Sequence, residues 1–166
     1  MIKKIRPDHV VSAIELIDLG QLKLSGIRAL IIDIDNTLTP HHKDVISEDK
    51  LMWLQEAAAS GFFVLLLSNN RKSRMKSITS VYGFKGYGFA CKPFSPYYKK
   101  VLSDTGFNSS EVCCIGDQLL TDVLGAKING MASIYVEPIS PRDIIFSRFS
   151  RWLEKRLMVK KGHIND

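Results

Sequence analysis

The sequence contains no apolar stretch long enough to cross a membrane. Its apolar runs, such as residues 62–67, are far shorter than the roughly 18 residues that a membrane-spanning helix needs. The charged residues near the start, Lys3, Lys4 and Arg6, are not followed by the apolar segment of a secretory signal peptide. Both absences favour a cytoplasmic protein, with at most peripheral contact with a membrane surface.

Cysteine is also scarce. The three cysteines, Cys91, Cys113 and Cys114, are odd in number and lack the spacing of metal ligands. They lie in apolar runs that predict buried strands, so we expect all three to pack in the core. A disulfide-stabilised scaffold is therefore disfavoured.

The chain has neither internal repeats nor low-complexity tracts, and its 166 residues are the length of one domain. We therefore predict a single domain over residues 1–166. The net charge of +6 is concentrated near the end, because seven basic and three acidic residues follow residue 140. Residues 141–161 are predicted to form a basic amphipathic helix with Ile145, Phe149, Trp152 and Leu153 on one stripe. Such a helix either packs on the domain or lies on anionic lipid.

Short apolar runs alternate with segments of helical periodicity. The predicted strands are residues 29–33, 62–67, 88–91, 112–115 and 132–136, and the predicted helices are 47–59, 72–82, 96–104 and 119–128. Strands that are apolar throughout are buried on both faces of a sheet. With right-handed crossovers, this alternation predicts an α/β fold of three layers, a doubly wound parallel sheet between helices.

Polar side chains follow four of these predicted strands. In chain order they are Asp33 with Asp35, Ser68 with Asn69, Lys92, and Asp117 with Asp122. Ligands of such folds bind at the carboxyl ends of the strands, so we expect these groups to meet there. Crowded carboxylates need a hard cation between them, and Mg²⁺ binds few protein carboxylates together with water and a phosphate. A lysine and a hydroxyl can stabilise the same phosphate, which predicts a magnesium-dependent phosphoryl-transfer site.

These four motifs resemble those of the haloacid dehalogenase (HAD) superfamily, whose phosphotransferases use an aspartate as the nucleophile. The matching segments, in order, are Asp-Ile-Asp-Asn-Thr-Leu, Leu-Ser-Asn-Asn, Cys-Lys-Pro and Gly-Asp-Gln-Leu-Leu-Thr-Asp. The resemblance implies an HAD-like, Rossmannoid fold in which Asp33 is the nucleophile and Asp35 is the general acid and base. ATPase branches have threonine at the second position, so Asp35 favours a phosphohydrolase.

The resemblance also implies roles for the remaining motif residues. Lys92 balances charge, and Asp117 binds Mg²⁺ together with Asp33 and the main-chain carbonyl of Asp35. Asp122 supports the site and is directed towards Lys92 or the serine loop. The predicted phosphate-binding residues are Thr37, Ser68, Asn69 and Arg71, the last because its guanidinium can bind phosphate through two hydrogen bonds.

The spacing of the motifs leaves no room for a cap domain. The segments 38–67 and 69–91 each accommodate one helix and one strand. An open site cannot enclose a small metabolite, so we expect a phosphate on a large carrier such as a lipid, a protein or a nucleic acid.

The opening Pro7-Asp8-His9, the leader Gly26-Ile27-Arg28 and the forms of the first and fourth motifs resemble the YqeG-type branch, in subclass IIIA of the superfamily. That branch includes the phosphatidylglycerophosphate phosphatases of mitochondria and plastids. The resemblance implies removal of the terminal phosphate of phosphatidylglycerophosphate to give phosphatidylglycerol. Two alternatives remain open, a phosphatase for nucleic-acid ends or phosphoproteins and a basic adaptor without activity.

A few other residues have two interpretations. His41 and His42 follow the first motif and either contact the substrate phosphate or are solvated loop residues. Lys72 could help Arg71 to attract an anionic head group. Trp53 and the pair Phe62 and Phe63 are expected to lie in the core.

Overall fold

The computed structural model describes residues 5–41 and 43–140. The predicted amphipathic helix at 141–161 and His42 lie outside these residues. The strands are β1 (His9–Val11), β2 (Ala29–Ile32), β3 (Phe63–Leu67), β4 (Lys85–Tyr87), β5 (Val112–Gly116) and β6 (Ala132–Val136). The helices are α1 (Leu19–Leu24), α2 (Glu48–Ala59), α3 (Lys72–Tyr82), α4 (Tyr97–Thr105) and α5 (Leu124–Ile128). Short 3₁₀ turns cover Ile14–Leu16 and Ser109–Glu111, and a π-helical turn covers Leu119–Val123.

All six strands form one parallel sheet in the order β1-β6-β5-β2-β3-β4. The strand order changes direction at β2. On one side of β2 the sheet continues with β3 and β4 in chain order, and on the other side β2 pairs with β5. Ile32, the last residue of β2, is level with Leu66 of β3 and Ile115 of β5. The residues that follow these three strands therefore emerge side by side at one edge, as the predicted doubly wound fold requires.

Helices cover both faces of the sheet. The side chains of Leu30 and Ile32 join a core with α2 and α3, which includes Trp53 and Ile78. Their neighbours in β2 face the other way and join a second core with α4 and α5, which includes Tyr98. This alternation along one strand gives the three predicted layers.

The prediction of a strand at residues 88–91 is wrong. The strand is β4, three residues earlier, and residues 88–91 form a loop. Phe89 and Cys91 have positive φ angles of 48° and 58°, and a Cβ atom at Gly88 would lie 2.9 Å from the Cα atom of Lys72. The two positive φ angles are incompatible with an extended strand, and glycine at residue 88 allows the loop to lie close against the start of α3. Cys91 is consequently exposed, against expectation, whereas Cys113 and Cys114 are buried.

Two elements near the start were not predicted, namely the edge strand β1 and the helix α1. The Asp8 carboxylate accepts hydrogen bonds from the main-chain N–H and the hydroxyl of Ser133 and fastens β1 to β6. The helix α1 begins at Asp18, whose carboxylate accepts from the Gln21 N–H at 3.0 Å. The Trp53 indole donates to the Ile17 carbonyl oxygen and packs this segment on α2.

The expected absence of a cap domain agrees with the described residues. Among the described residues, only α2 lies between β2 and β3, and only α3 lies between β3 and β4. Within this part of the chain, the carboxyl edge of the sheet is therefore open over the site. In the described part of the chain, no helix combines the length and apolar character needed to span a membrane.

Candidate active site

Three carboxylates meet at the carboxyl edge of the sheet. Asp33 follows β2, Asp117 follows β5, and Asp122 lies in the π-helical turn. Each offers an oxygen atom within 4.8 Å of the others, and all three residues are buried. The main-chain N–H of Asp33 donates to the Ile115 carbonyl oxygen at 2.9 Å, so the pairing of β2 with β5 sets the position of the first carboxylate.

Lys92 places one buried ammonium among these acids. Its Nζ atom donates to an oxygen of Asp33 at 2.5 Å and to an oxygen of Asp122 at 2.6 Å. The Asn69 side chain fixes the position of the Lys92 main chain. Its amide oxygen accepts from the Lys92 N–H at 2.7 Å, and its amide nitrogen donates to the Lys92 carbonyl oxygen. Asp122 is thus directed towards Lys92, as the resemblance implied. Both polar atoms of the Asn69 side-chain amide therefore bind the main chain of Lys92.

Burial dominates the electrostatics of the cluster. It raises the pKa of Asp33 to about 7, with Asp122 and Asp35 adding to the rise and Lys92 opposing it. Burial likewise raises the pKa of Asp117 well above its ordinary value, and Asp33 and Asp122 add to that rise. Burial alone would lower the pKa of Lys92, but Asp122 and Asp33 hold it above its ordinary value. The ammonium therefore remains charged and the carboxylates crowd around it.

The donor set fits a divalent cation. Asp117 has a buried Oδ1 atom that accepts no hydrogen bond from the described residues. Lys92 contacts the other two acids of the cluster but leaves this oxygen without a partner. A buried, unsatisfied carboxylate oxygen is costly unless a cation binds it, and carboxylate oxygens are the ligands that hard cations prefer.

The Asp35 side chain belongs to a different set of contacts. It accepts hydrogen bonds from the Ser68 hydroxyl at 2.8 Å and from the Asn70 amide at 3.4 Å, and it pairs with the Arg74 guanidinium at 3.1 Å. His41 lies 3.6 Å away through Nδ1. Although it is two residues from Asp33, Asp35 therefore faces the loop after β3 rather than the lysine.

Both aspartates lie at the start of a tight loop after β2. Asn36 has a positive φ of 62°, and the N–H groups of Leu38 and Thr39 both donate to the Ile34 carbonyl oxygen. The Thr37 hydroxyl donates to Asp33 at 3.3 Å and holds the loop closed. Asparagine adopts this left-handed conformation more readily than most residues, which explains its place directly after Asp35.

Arg74 and Asn70 were missed by the sequence analysis. The predicted basic residue was Arg71, but its side chain is exposed and its N–H donates to the Asn70 side chain. Arg74 instead reaches Asp35, Asp44 and the Thr39 hydroxyl. The signal was available, because Arg74 lies one helical turn after Arg71 on α3.

Comparison with known proteins finds similarity to phosphatases. A family model described as mitochondrial PGP (phosphatidylglycerophosphate) phosphatase matches residues 2–80, and a HAD-hydrolase-like model matches residues 89–138. The chain is 33% identical to the probable phosphatase YqeG of Bacillus subtilis, over 99% of this chain and 98% of that protein. It is 25% identical to phosphatidylglycerophosphate phosphatase 1, chloroplastic/mitochondrial, of Arabidopsis thaliana, over 91% of this chain and 49% of that protein.

The fold is similar to that of solved phosphatases as well. The cobalt-bound deoxy-D-mannose-octulosonate 8-phosphate phosphatase of Haemophilus influenzae superposes with a TM-score of 0.56 at 15% identity, covering 69% of this chain and 70% of that one. This likeness concerns the fold. Because the similarity to the Bacillus protein extends over nearly the whole of both chains, the protein belongs to the YqeG-type phosphatases of the HAD superfamily.

Proposed function

We propose that this protein is a Mg²⁺-dependent phosphomonoesterase that converts phosphatidylglycerophosphate to phosphatidylglycerol through an aspartyl-phosphate on Asp33. The observation that carries the chemistry is the separation of two neighbouring carboxylates. Asp33 lies with Lys92, whereas Asp35 lies with Ser68 and Arg74. Two acids in different surroundings can perform two different roles in one reaction.

In the first step, an oxygen of Asp33 attacks the phosphorus atom of the substrate. The bond between phosphorus and the ester oxygen breaks, and the departing alkoxide takes a proton from the Asp35 carboxyl group. In the second step, Asp35 removes a proton from a water molecule that attacks the phosphorus of the aspartyl-phosphate. Inorganic phosphate leaves, and both carboxyl groups return to their initial forms.

The remaining motif residues would hold the phosphate during these steps. Lys92 neutralises negative charge beside Asp33, and the Ser68 hydroxyl can turn from Asp35 to a phosphoryl oxygen. We propose Thr37, Asn69 and Arg71 as further phosphate ligands, with Asn69 acting through its main-chain N–H because its side chain holds Lys92.

Asp33 and Asp117 would bind the Mg²⁺ ion, together with the main-chain carbonyl of Asp35. Bound there, the ion would offset the charge of the phosphate and of the crowded carboxylates. The unsatisfied oxygen of Asp117 supports this assignment. Asp122 is a neighbour of the same cluster, but its hydrogen bonds to Lys92 and to the Gln118 N–H suit a supporting role.

The substrate is the finer part of the proposal. The matching PGP phosphatase model and the Arabidopsis relative support a phospholipid phosphate. The open edge of the sheet supports a phosphate carried on a large molecule or a surface. The net charge of +6 also favours a second candidate, the phosphate of a nucleic-acid end or of a phosphoprotein. The adaptor alternative loses its basis, because the relative that matches along nearly the full length of both chains is named a probable phosphatase.

Phosphate release from phosphatidylglycerophosphate in mixed micelles tests this proposal. The same assay with a generic aryl phosphate, with a 5′-phosphorylated oligonucleotide, and with EDTA in place of Mg²⁺ provides the comparisons, and Asp33→Asn provides the inactive control. We expect turnover of the lipid to exceed that of the other esters and to require both Mg²⁺ and Asp33. Faster turnover of the oligonucleotide than of the lipid would contradict the lipid substrate. Turnover that continues in EDTA would contradict the requirement for Mg²⁺.

A further inference from the structure

We propose that Lys72, Lys76, Phe89 and Phe94, which we call the docking rim, attach this protein to the surface of an anionic lipid bilayer. The inference rests on the proposed lipid phosphatase function and adds the surface through which the enzyme would reach its substrate. The four residues lie on α3 and on the loop that carries Lys92, beside the active site.

The two phenylalanines are held outwards by the loop after β4. Phe89 is 57% exposed and Phe94 is 78% exposed, although the lysine between them is buried. The Phe89 N–H donates to the Asn70 carbonyl oxygen and the Phe94 N–H to the Cys91 carbonyl oxygen. Phe89 has a positive φ, which is rare for a bulky residue. The conformation that directs Lys92 inwards therefore presents two aromatic rings to solvent on either side of it.

The surroundings of these rings carry positive charge. Between Glu56 and Asp104 the chain has eight lysine and arginine residues and no aspartate or glutamate. Arg74 and Lys92 are used in the active site, and Lys85 and Lys100 pair with Asp104. Lys72 and Lys76 are exposed and have no ion pair with the described residues. They line an open cleft of about 400 Å³ together with Gly88, Tyr87 and Tyr97.

The clustered carboxylates of the active site are not exposed beside these lysines. Asp33, Asp117 and Asp122 are each at most 6% exposed, and Lys92 pairs with two of them.

A lipid surface fits these features better than a nucleic acid. Exposed aromatic side chains beside lysines are typical of segments that lie in the head-group region, where rings enter the apolar boundary and ammonium groups meet anionic lipid. A single strand needs open ring faces for its bases. The two rings next to the lysines, Tyr87 and Tyr97, already stack on each other with centroids 4.0 Å apart.

Vesicle sedimentation with the full chain tests the docking rim. Two double variants are compared with the wild type. One is Phe89→Asn with Phe94→Asn, in which asparagine can adopt the positive φ of residue 89. The other is Lys72→Gln with Lys76→Gln. The matched control is Leu24→Asn with Val81→Asn, which removes two exposed apolar side chains near the amino ends of the strands. Vesicles of phosphatidylglycerol and phosphatidylcholine are compared with vesicles of phosphatidylcholine alone. Neither contains a phosphomonoester, so binding is measured independently of turnover.

We expect the wild type and the control to bind the anionic vesicles equally, and each rim variant to bind about tenfold more weakly. Turnover of a soluble aryl phosphate should be unchanged in Phe89→Asn with Phe94→Asn, which shows that the site is intact. Wild-type vesicle binding by both rim variants would overturn the docking rim even if phosphatidylglycerophosphate is the substrate. Rim-dependent binding of a single-stranded oligonucleotide with no vesicle binding would overturn it in favour of nucleic acid.

Discussion

At the scale of single residues, the site depends on how one short loop orients the side chains of two aspartates. Asp33 and Asp35 are separated by one residue, yet one contacts Lys92 and the other contacts Ser68 and Arg74. The positive φ of Asn36 and the hydrogen bonds to the Ile34 carbonyl oxygen stabilise the loop that carries Asp35. The surroundings, rather than the residue type, assign the two proposed roles.

Arg74→Gln should impair the step in which Asp35 gives a proton. The guanidinium fixes Asp35 from one side, and a misplaced general acid costs about 10–100-fold in rate. The loss in kcat should be larger for an alkyl phosphate than for an aryl phosphate, because only the poor leaving group needs the proton. Steady-state kinetics on both esters measures this difference.

Arg71→Gln is the matched comparison for that variant, because Arg71 is a nearby exposed arginine outside the Asp35 contacts. It should raise KM if Arg71 binds the phosphate, without changing the dependence on the leaving group. If Arg74→Gln slows both esters equally, its effect is only structural and Arg74 does not position the acid.

The sequence could predict the catalytic candidates but only some of their partners. Four motifs at strand ends are visible as residue types, and Asp33, Lys92 and Asp122 do come together. The choice between Arg71 and Arg74 depends on the rotation of α3 at its first turn. The hydrogen bond between the Asn69 side chain and the main chain of Lys92 depends on a loop conformation that the sequence does not reveal.

At the scale of elements, the end of β5 and the π-helical turn approach each other closely. A Cβ atom at Gly116 would lie 2.3 Å from the Asp122 side chain, well inside van der Waals contact. Asp122 in turn accepts from the Gln118 N–H and from Lys92. The glycine therefore allows the acid to support the lysine.

Gly116→Ala should lower both stability and activity. The added methyl group must displace the Asp122 carboxylate, and such overpacking typically costs about 1–3 kcal/mol. Urea unfolding measures the free energy, and aryl phosphate turnover reports whether Lys92 keeps its place. Wild-type stability together with wild-type activity would contradict this role of the glycine.

The central strands were predictable and the edges were not. The strands β2, β3, β5 and β6 are apolar because both faces are covered, and their predicted positions agree with the structure. The edge strand β4 is Lys-Gly-Tyr, which lacks that pattern, and the apolar run after it was mistaken for the strand. The edge strand β1 has three residues and pairs with β6 far along the chain, so no local signal marks it.

At the scale of the whole molecule, the buried acids connect metal binding to stability. In the metal-free protein, burial holds the pKa of Asp33 at about 7 and that of Asp117 well above its ordinary value. The folded state then binds more protons than the unfolded state between about pH 4 and about pH 7. The contribution of these acids to stability is complete at the lower pH and is lost as the pH rises.

Metal-free protein should therefore have a lower Tm near pH 7.5 than near pH 5.5. Mg²⁺ should raise the Tm more at the higher pH, because the ionised acids bind it. Calorimetry with and without EDTA measures both effects. Asp33→Asn is the control, and its Tm should depend less on pH. An equal Mg²⁺ effect at both pH values would contradict the account of the cluster.

The central claim is that Asp33 carries the phosphoryl group, and trapping the phosphoenzyme tests it most directly. Asp35→Asn should form the aspartyl-phosphate from an aryl phosphate, whose leaving group needs no acid, and should hydrolyse it slowly because the general base is missing. Acid quenching followed by peptide mass spectrometry should then find one phosphoryl group on the peptide that contains Asp33. A phosphoryl group on another residue, or wild-type turnover by Asp33→Asn, would contradict the account.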